Sequence, residues 1–303
     1  MKLAAIDIGS NAARLLISEV VENGKNQTQF NKLNLIRVPL RLGFDVFETG
    51  TISKLKMQKV VETIKAYKHL LSIYDVKYLK ACATSAMRDA ANSQDLIRKV
   101  KLETGIEIKV ISGDEEASFI YENHIADSLG EDHSYLYIDV GGGSTELTYF
   151  NKGKLVFKES FNIGTIRLLK GQVKDKQWDE MKDFLKISTK GHSDIIAIGS
   201  GGNINKVFSL SKRKDGKPLP LELLRDYYKE FSSFSIAELM KMYNIREDRA
   251  DVIVPALQIY INVMRWTDIA EIYVPKIGLA DGLIHMLYDE IKRNKLETSS
   301  LAM

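Results

Sequence analysis

The sequence contains one cysteine, Cys82, in 303 residues. A single thiol excludes an intrachain disulfide and a cysteine-based zinc site, and this composition favours the reducing cytoplasm. No apolar run approaches the roughly 20 residues of a membrane span. The start, Met1 to Ile6, has only Lys2 as a positive charge and does not resemble a signal peptide. We therefore expect a cytoplasmic protein with no membrane partner.

The sequence also lacks a large excess of either charge. It has 43 Lys and Arg against 40 Asp and Glu, which leaves a net charge of +3. This excess is too small to indicate nucleic-acid binding. The five histidines show no metal-ligand spacing, and no Ser/His/Asp or Cys/His set stands out. No Pro/Ser-rich linker divides the chain either. The chemistry must therefore be sought in the glycine-containing loops that follow apolar strands.

Two of these loops look like copies of one unit. Asp7-Ile8-Gly9-Ser10-Asn11, the first loop, matches the start of the second loop, Asp139-Val140-Gly141-Gly142-Gly143-Ser144-Thr145-Glu146, at an offset of 139 − 7 = 132 positions. Each follows an apolar strand and precedes two more strands. Such self-similarity indicates duplicated domains. The first half reads βββαβαβα, an α/β domain of ribonuclease H-like outline. We place the domains at residues 1–126 and 127–279 on the repeat alone.

The second loop has the strongest chemical pattern. Three consecutive glycines cost backbone entropy, so an ordinary strand would not carry them. They can direct N–H groups at a phosphate, and a carboxylate beside a phosphate needs a cation, usually Mg²⁺. We predict that Asp139 binds the cation, that Gly141–Gly143, Ser144 and Thr145 hold phosphate, and that Glu146 lies just beyond. A tight hairpin is the alternative, but it needs only one or two glycines.

Two further loops are weaker candidates. In the first loop, Gly9, Ser10 and Asn11 would bind phosphate, and Asp7 would hold the same cation from the other side. A plain turn would look identical in isolation. The third loop, Gly199-Ser200-Gly201-Gly202, lies between a predicted strand and a helix start, which is a recurring phosphate site. We predict that Ser200, Gly201 and Gly202 bind phosphate; packing alone is the alternative.

Glu116 is the candidate general base. Ser112-Gly113-Asp114-Glu115 reads as a capping box that opens a helix to about Leu129, and this box accounts for Glu115. Glu116 is left over, and its i+3 and i+4 neighbours, Phe119 and Ile120, are apolar. A carboxylate held on that side could activate water. Its alternative role is to offset the helix dipole.

Arg88 follows a predicted buried strand and suits phosphate recognition, although an Arg that caps a helix end would be equally ordinary. The segment from Lys206 to Lys217 is the most basic. It reads as a solvated loop or as a guide for a long anion. We also predict a strand over residues 106–111 and one continuous helix over 247–266.

These residues together resemble the Ppx/GppA phosphatase family, the exopolyphosphatases and guanosine pentaphosphate phosphohydrolases, in a short two-domain form. The matching blocks run in order along nearly the whole chain. They are residues 5–11, 83–90, 111–117, 138–147, 162–168 and 249–256. The ensemble is specific, whereas a single glycine loop would not be.

The resemblance implies the actin/Hsp70/sugar-kinase fold, with two ribonuclease H-like domains around a cleft and the last helix, 280–303, packed back on the first domain. It implies Glu116 and Glu146 as catalytic residues and Mg²⁺ or another divalent cation near Asp139 and Glu146. The implied reaction is hydrolysis of the terminal phosphoanhydride of polyphosphate.

Three alternatives stay open at this point. They are hydrolysis of guanosine pentaphosphate, an ATP-dependent kinase, and a non-catalytic nucleotide sensor on the same fold. A homodimer is also compatible with the sequence.

Overall fold

The computed structural model describes residues 1–23, 27–121, 133–192 and 194–300. The domain boundary predicted at 126/127 therefore lies outside the described residues. The helix predicted to reach Leu129 also runs beyond them. No helix in the described ranges has both the length and the apolar character of a membrane span.

The first sheet has five strands in the order β3-β2-β1-β4-β5. The three-strand opening is antiparallel, and β4 and β5 run parallel to β1. Strand β1 lies in the centre of the sheet and is almost entirely buried, which fits its mostly apolar sequence. The strands are β1 (Lys2–Ile8), β2 (Ala13–Asn23), β3 (Gln27–Val38), β4 (Tyr78–Ala83) and β5 (Lys109–Val110), and the helices are α1 (Leu42–Thr49), α2 (Lys54–Ile73), α3 (Ser85–Asp89), α4 (Ser93–Thr104) and α5 (Gly113–Tyr121).

The second sheet has the order β10-β11-β9-β6-β7-β8. It repeats the antiparallel opening in β6, β7 and β8 and adds β9 parallel to β6. The strands are β6 (Ser134–Val140), β7 (Thr145–Asn151), β8 (Lys154–Phe161), β9 (Ile195–Ser200), β10 (Leu219–Pro220) and β11 (Glu271–Tyr273). The helices are α6 (Thr165–Leu169), α7 (Asp175–Ser188), α8 (Gly202–Leu210), α9 (Leu221–Ser232), α10 (Ile236–Tyr243), α11 (Glu247–Ala250), α12 (Ile253–Trp266) and α13 (Leu279–Ser300).

Each sheet anchors its own buried core, and helices α13 and α6 are among the elements that link the halves. Helix α13 packs on the first sheet, where Leu283 and Ile284 share a buried cluster with Leu3 and Leu16. Conversely, Ile166 of α6 is fully buried in the core of the first domain. The molecule thus has two α/β domains of ribonuclease H-like type around a cleft, as predicted.

Two predicted elements differ from the structure. The strand predicted over 106–111 pairs only at Lys109 and Val110, because Ile106 and Ile108 are buried against the core outside the ladder. The helix predicted over 247–266 is two helices, α11 and α12. Pro255 lies in the first turn of α12, where proline is tolerated, but its ring would clash with the carbonyl of residue 251 in a continuous helix.

Candidate active site

The cleft between the sheets is where the three glycine loops converge. The first loop follows β1 of the first sheet, and the other two follow β6 and β9, which are neighbours in the second sheet. All three loops open onto the same space. The cleft is lined by backbone or side chains of all three loops, together with Glu116 and a group of basic residues. The repeat predicted this meeting of the first and second loops.

The second loop holds a pair of carboxylates side by side. Asp139 and Glu146 are register partners in the antiparallel pair of β6 and β7. The turn is closed by the Gly141 amide, which donates to the Ser144 carbonyl over 2.9 Å. Glu146 is only 2% exposed. Its Oε1 accepts a hydrogen bond from Ser160 Oγ at 2.9 Å, whereas its buried Oε2 accepts none from the described residues.

Glu116 faces this pair from the first domain. The predicted capping box is present, because the Glu115 amide donates to Ser112 Oγ and the Ser112 amide donates to Glu115 Oε2. This box fixes the first turn of α5 and leaves the next side chain, Glu116, buried. Its Oε2 accepts no hydrogen bond from the described part of the chain. Arg88 Nη1 lies 3.7 Å from that oxygen, so the structure brings Arg88 and Glu116 together.

The electrostatics of these carboxyl groups call for a positive charge. Burial, together with the negative charges of Glu146 and Asp139, raises the pKa of Glu116 well above its usual value. Burial and the Asp139 carboxylate likewise raise the pKa of Glu146 from 4.5 to about 7. Burial also raises the pKa of Asp139. Glu116 and Glu146 each have one buried oxygen that accepts no hydrogen bond from the described residues, and such oxygens fit a cation as their partner.

The described residues do not form a complete metal cage, because they contain no cluster of three or more His, Cys, Asp or Glu side chains that could hold a metal ion. Such a partial site suits Mg²⁺, which usually keeps several waters and binds one or two carboxylates plus substrate phosphates. The donor set therefore fits a hard divalent cation that also contacts the substrate.

The first loop reaches the cleft, but its side chains have protein partners. Arg14 Nη1 donates to Asp7 Oδ2 at 2.6 Å. Ser10 Oγ lies 2.7 Å from Ser85 Oγ, and Asn11 Nδ2 donates to the Asp248 carbonyl over 2.8 Å. Gly9, Ser10 and Asn11 nevertheless line the cleft. Their phosphate contacts, and a cation on Asp7, stay predictions.

Thr145 and Ser200, both predicted to bind phosphate, do not line the cleft, whereas Gly201 and Gly202 of the third loop do. The Thr145 hydroxyl is fully buried and donates to the Ile163 carbonyl at 2.6 Å, outside the cleft lining. Ser200 Oγ is buried without a hydrogen bond among the described residues. Gly201 has φ +111°, and a Cβ there would lie 3.2 Å from Asp139 Oδ1. A glycine is therefore needed for the third loop to approach the second-loop carboxylate.

Sequence reasoning missed a basic wall on the cleft. Arg14, Arg37, Arg249, Lys32 and Lys276 all line it. Burial and the charges of Arg37 and Arg14 lower the pKa of Arg249 to about 10, so an incoming anion would relieve unfavourable charge there. The signal for Arg14 was present in the sequence, since a hairpin closed around the first loop sets this residue opposite Asp7.

The fold places the chain among proteins of actin-like fold, with two ribonuclease H-like domains around a cleft. The particular family follows from comparison. The model of the Ppx/GppA phosphatase family matches residues 19–292, and the chain belongs to this family.

Three relatives illustrate the similarity. The exopolyphosphatase of Cytophaga hutchinsonii has a solved structure with a TM-score of 0.83 and 25% identity, over 96% of this chain and 98% of that one. A guanosine-5'-triphosphate,3'-diphosphate pyrophosphatase of Aliivibrio fischeri is 25% identical over 97% of this chain and 60% of its own length. A bifunctional 3-dehydroquinate synthase/phosphatase of Fusobacterium nucleatum is 33% identical over 61% of this chain and 31% of its own length. The chain thus spans less than two thirds of the length of both curated relatives.

Proposed function

We propose that this protein hydrolyses the terminal phosphoanhydride bond of inorganic polyphosphate and releases orthophosphate. The observation that carries the proposal is the buried Glu116 carboxylate, which shares the cleft with Asp139 and the second glycine loop. The similarity to the Cytophaga exopolyphosphatase over nearly the full length of both chains supports this substrate.

The second glycine loop would hold the terminal phosphate through the amides of Gly142 and Gly143 and through Ser144. Arg88 would contact an oxygen of the same phosphate, and the basic wall would hold the rest of the chain. Gly9 and the backbone of Ser10 and Asn11 would approach from the first domain, and Gly201 and Gly202 from the second. Positioning of this kind supplies much of the catalysis of phosphoryl transfer, which involves little covalent chemistry by the protein.

Asp139 and Glu146 would hold a divalent cation, and Asp7, whose Oδ2 accepts from Arg14 Nη1, would face it across the cleft without being a required ligand. When bound, the cation neutralises charge on phosphate oxygens and stabilises the leaving oxygen by several kcal/mol. Positive charge of this kind also lowers the pKa of nearby carboxyl groups, which favours the ionised Glu116 that a base requires.

Glu116 would then accept a proton from the attacking water. The oxygen of this water forms a bond to the terminal phosphorus as the bridging P–O bond breaks, and the electron pair stays with the shortened polyphosphate. Burial of Glu116 suits this role because a carboxylate with a raised pKa is a stronger base near neutral pH.

The test compares two adjacent substitutions in α5. Glu116→Gln keeps the shape of the side chain but removes the base, and turnover should fall by about 10² or more while polyphosphate affinity is retained. Glu115→Gln, at the exposed capping position, is the matched control and should keep near-normal turnover. Near-normal orthophosphate release by Glu116→Gln would show that the base is misassigned.

Guanosine pentaphosphate is the second candidate substrate, and the Aliivibrio relative is the observation that favours it. Orthophosphate release from polyphosphate and from guanosine pentaphosphate should be measured side by side on the same preparation. A higher kcat/KM for the nucleotide would replace polyphosphate by the nucleotide as the main substrate and leave the site unchanged.

A further inference from the structure

One short segment of the second domain holds all three carbonyl groups of the glycine loop. The Thr165 amide donates to the Gly141 carbonyl over 3.0 Å, and the Ile166 amide donates to the Gly142 carbonyl over 2.8 Å. The third carbonyl, on Gly143, accepts from a side chain, Arg167 Nε, at 2.7 Å. Helix α6 and its arginine thus fix the orientation of three consecutive peptide units.

The orientation of these carbonyls decides where the loop amides point. In a trans peptide the N–H lies opposite the C=O of the same unit, and the described residues contain no cis peptide. The amides of Gly142, Gly143 and Ser144 therefore point away from α6. None of them donates a hydrogen bond to another described residue. Gly142 and Ser144 line the cleft, so their amides are available to an anion there.

Arg167 is held in turn by the first domain. Its guanidinium forms an ion pair with Asp89 at the end of α3, and it lies over the Phe47 ring at 4.1 Å from the ring centre. The loop itself is pressed against the same ring, since a Cβ on Gly143 would lie 2.4 Å from Phe47 Cζ. One arginine therefore joins a first-domain carboxylate to a second-loop carbonyl.

We propose that Arg167 is a positioning residue that sets the direction of the Ser144 amide, and that Asp89 holds it there when the domains are together. The inference rests on the proposed function only in that the ligand of this amide is a terminal phosphate. Without the Nε hydrogen bond the Gly143–Ser144 peptide can turn, and the Ser144 donor loses its fixed direction.

The conservative variant separates this role from that of a simple bridge between the domains. Lysine at position 167 can still pair with Asp89 and cover Phe47, but it lacks the planar fork whose separate nitrogens reach the Gly143 carbonyl and Asp89 at the same time. With tripolyphosphate as substrate, Arg167→Lys and Arg167→Gln should both lower kcat by about 10², the effect of losing one preorganised donor. KM should change little, because the basic wall still binds the chain.

Asp89→Asn keeps the Nε hydrogen bond and loses only the ion pair, so it should lower kcat by about tenfold or less. When it is combined with Arg167→Gln, the double variant should be almost no slower than Arg167→Gln alone.

Lys170→Gln removes the neighbouring interdomain ion pair with Glu48 and is the matched control. Its turnover should stay within about twofold of wild type. A purely structural bridge predicts the reverse: Arg167→Lys would be active and Asp89→Asn would be as damaged as Arg167→Gln. That pattern would overturn the inference.

A second readout does not need turnover. In protein labelled with ¹⁵N-glycine and ¹⁵N-serine, tripolyphosphate should shift the amide signals of Gly142, Gly143 and Ser144 in wild type and in Lys170→Gln. The Ser144 shift should be lost in Arg167→Lys. Wild-type shifts without orthophosphate release would refute the proposed function but leave this inference standing. Equal shifts in wild type and Arg167→Lys, or no wild-type shift at all, would refute the inference.

Discussion

The first and second loops occupy matching places in the two domains but differ at one charged position. The offset of 132 positions that relates Asp7 to Asp139 also relates Arg14 to Glu146. In the first sheet the aspartate is paired across the strands with an arginine, and in the second it is paired with a glutamate. The first loop therefore has a basic partner for its aspartate, whereas the second loop has an acidic residue at the matching position.

This difference shows how a duplicated fold can produce one asymmetric site. The guanidinium of Arg14 neutralises Asp7 at 2.6 Å, so this loop can approach a phosphate through its backbone without a metal. The paired carboxylates of the second loop are unfavourable by themselves, because Glu146 is removed from water and lies beside the negative charge of Asp139. In the proposed function, a cation and a phosphate bound between the domains would offset this cost.

The largest effect should follow from removing the guanidinium of Arg14, which pairs with Asp7 in the first loop. Arg14→Gln leaves the Asp7 carboxylate, which is 2% exposed, without its ionic partner. We expect the free energy of unfolding to fall by about 3 kcal/mol, as measured by urea denaturation. The double variant Asp7→Asn/Arg14→Gln should recover at least half of that loss, because no charge then stays buried.

Arg98→Gln is the control for this prediction, because it removes an exposed ion pair with Asp95 in α4. It should change the free energy of unfolding by less than about 0.5 kcal/mol. If Arg14→Gln were as mild as this control, or if the double variant were the least stable of all, the first loop would not depend on the Arg14 guanidinium.

A smaller effect is expected from pH in the second loop. Because burial raises the pKa of Glu146 from 4.5 to about 7 in the folded protein, the folded state favours the protonated group. The stabilisation is fully present below the unfolded pKa near 4.5 and is lost as pH rises through the folded pKa near 7. In a chelator, the melting temperature should therefore fall by about 5 °C between pH 5 and pH 8.

Glu146→Gln should flatten this fall, and saturating Mg²⁺ should reduce it in wild type because the cation favours the ionised group. Glu159→Gln, a nearby substitution on β8, serves as the control and should keep the wild-type slope. A melting temperature that rises with pH in the chelator would contradict the sign of the linkage.

Much of this site could be predicted because its signals are local. The second loop has three glycines between two carboxylates, and the capping box of Ser112 and Glu115 singles out Glu116. The same reasoning missed Arg14, Arg37 and Arg249, because charged side chains become a wall only when distant strands and helices are brought to one cleft. Register and tertiary contact, rather than residue type, decide such roles.

Side-chain direction was equally beyond local pattern. Thr145 follows Ser144 in the predicted phosphate loop, yet strand alternation turns its hydroxyl to the Ile163 carbonyl. The short helix α6 spans only five residues, too few to show a helical period, although it fixes the carbonyls of the glycine loop. Elements this short are held by tertiary contacts, which the sequence does not display.

Titration calorimetry with Mg²⁺ tests the central claim most directly, namely that the cation belongs to the second loop. Wild type should bind one ion per chain. Asp139→Asn should weaken this binding by about tenfold or more, the scale seen even for outer-shell changes at metal sites. Asp7→Asn should leave the affinity within about threefold of wild type, since Arg14 already occupies one oxygen of Asp7. Unchanged binding in Asp139→Asn, or a larger loss in Asp7→Asn, would contradict the account.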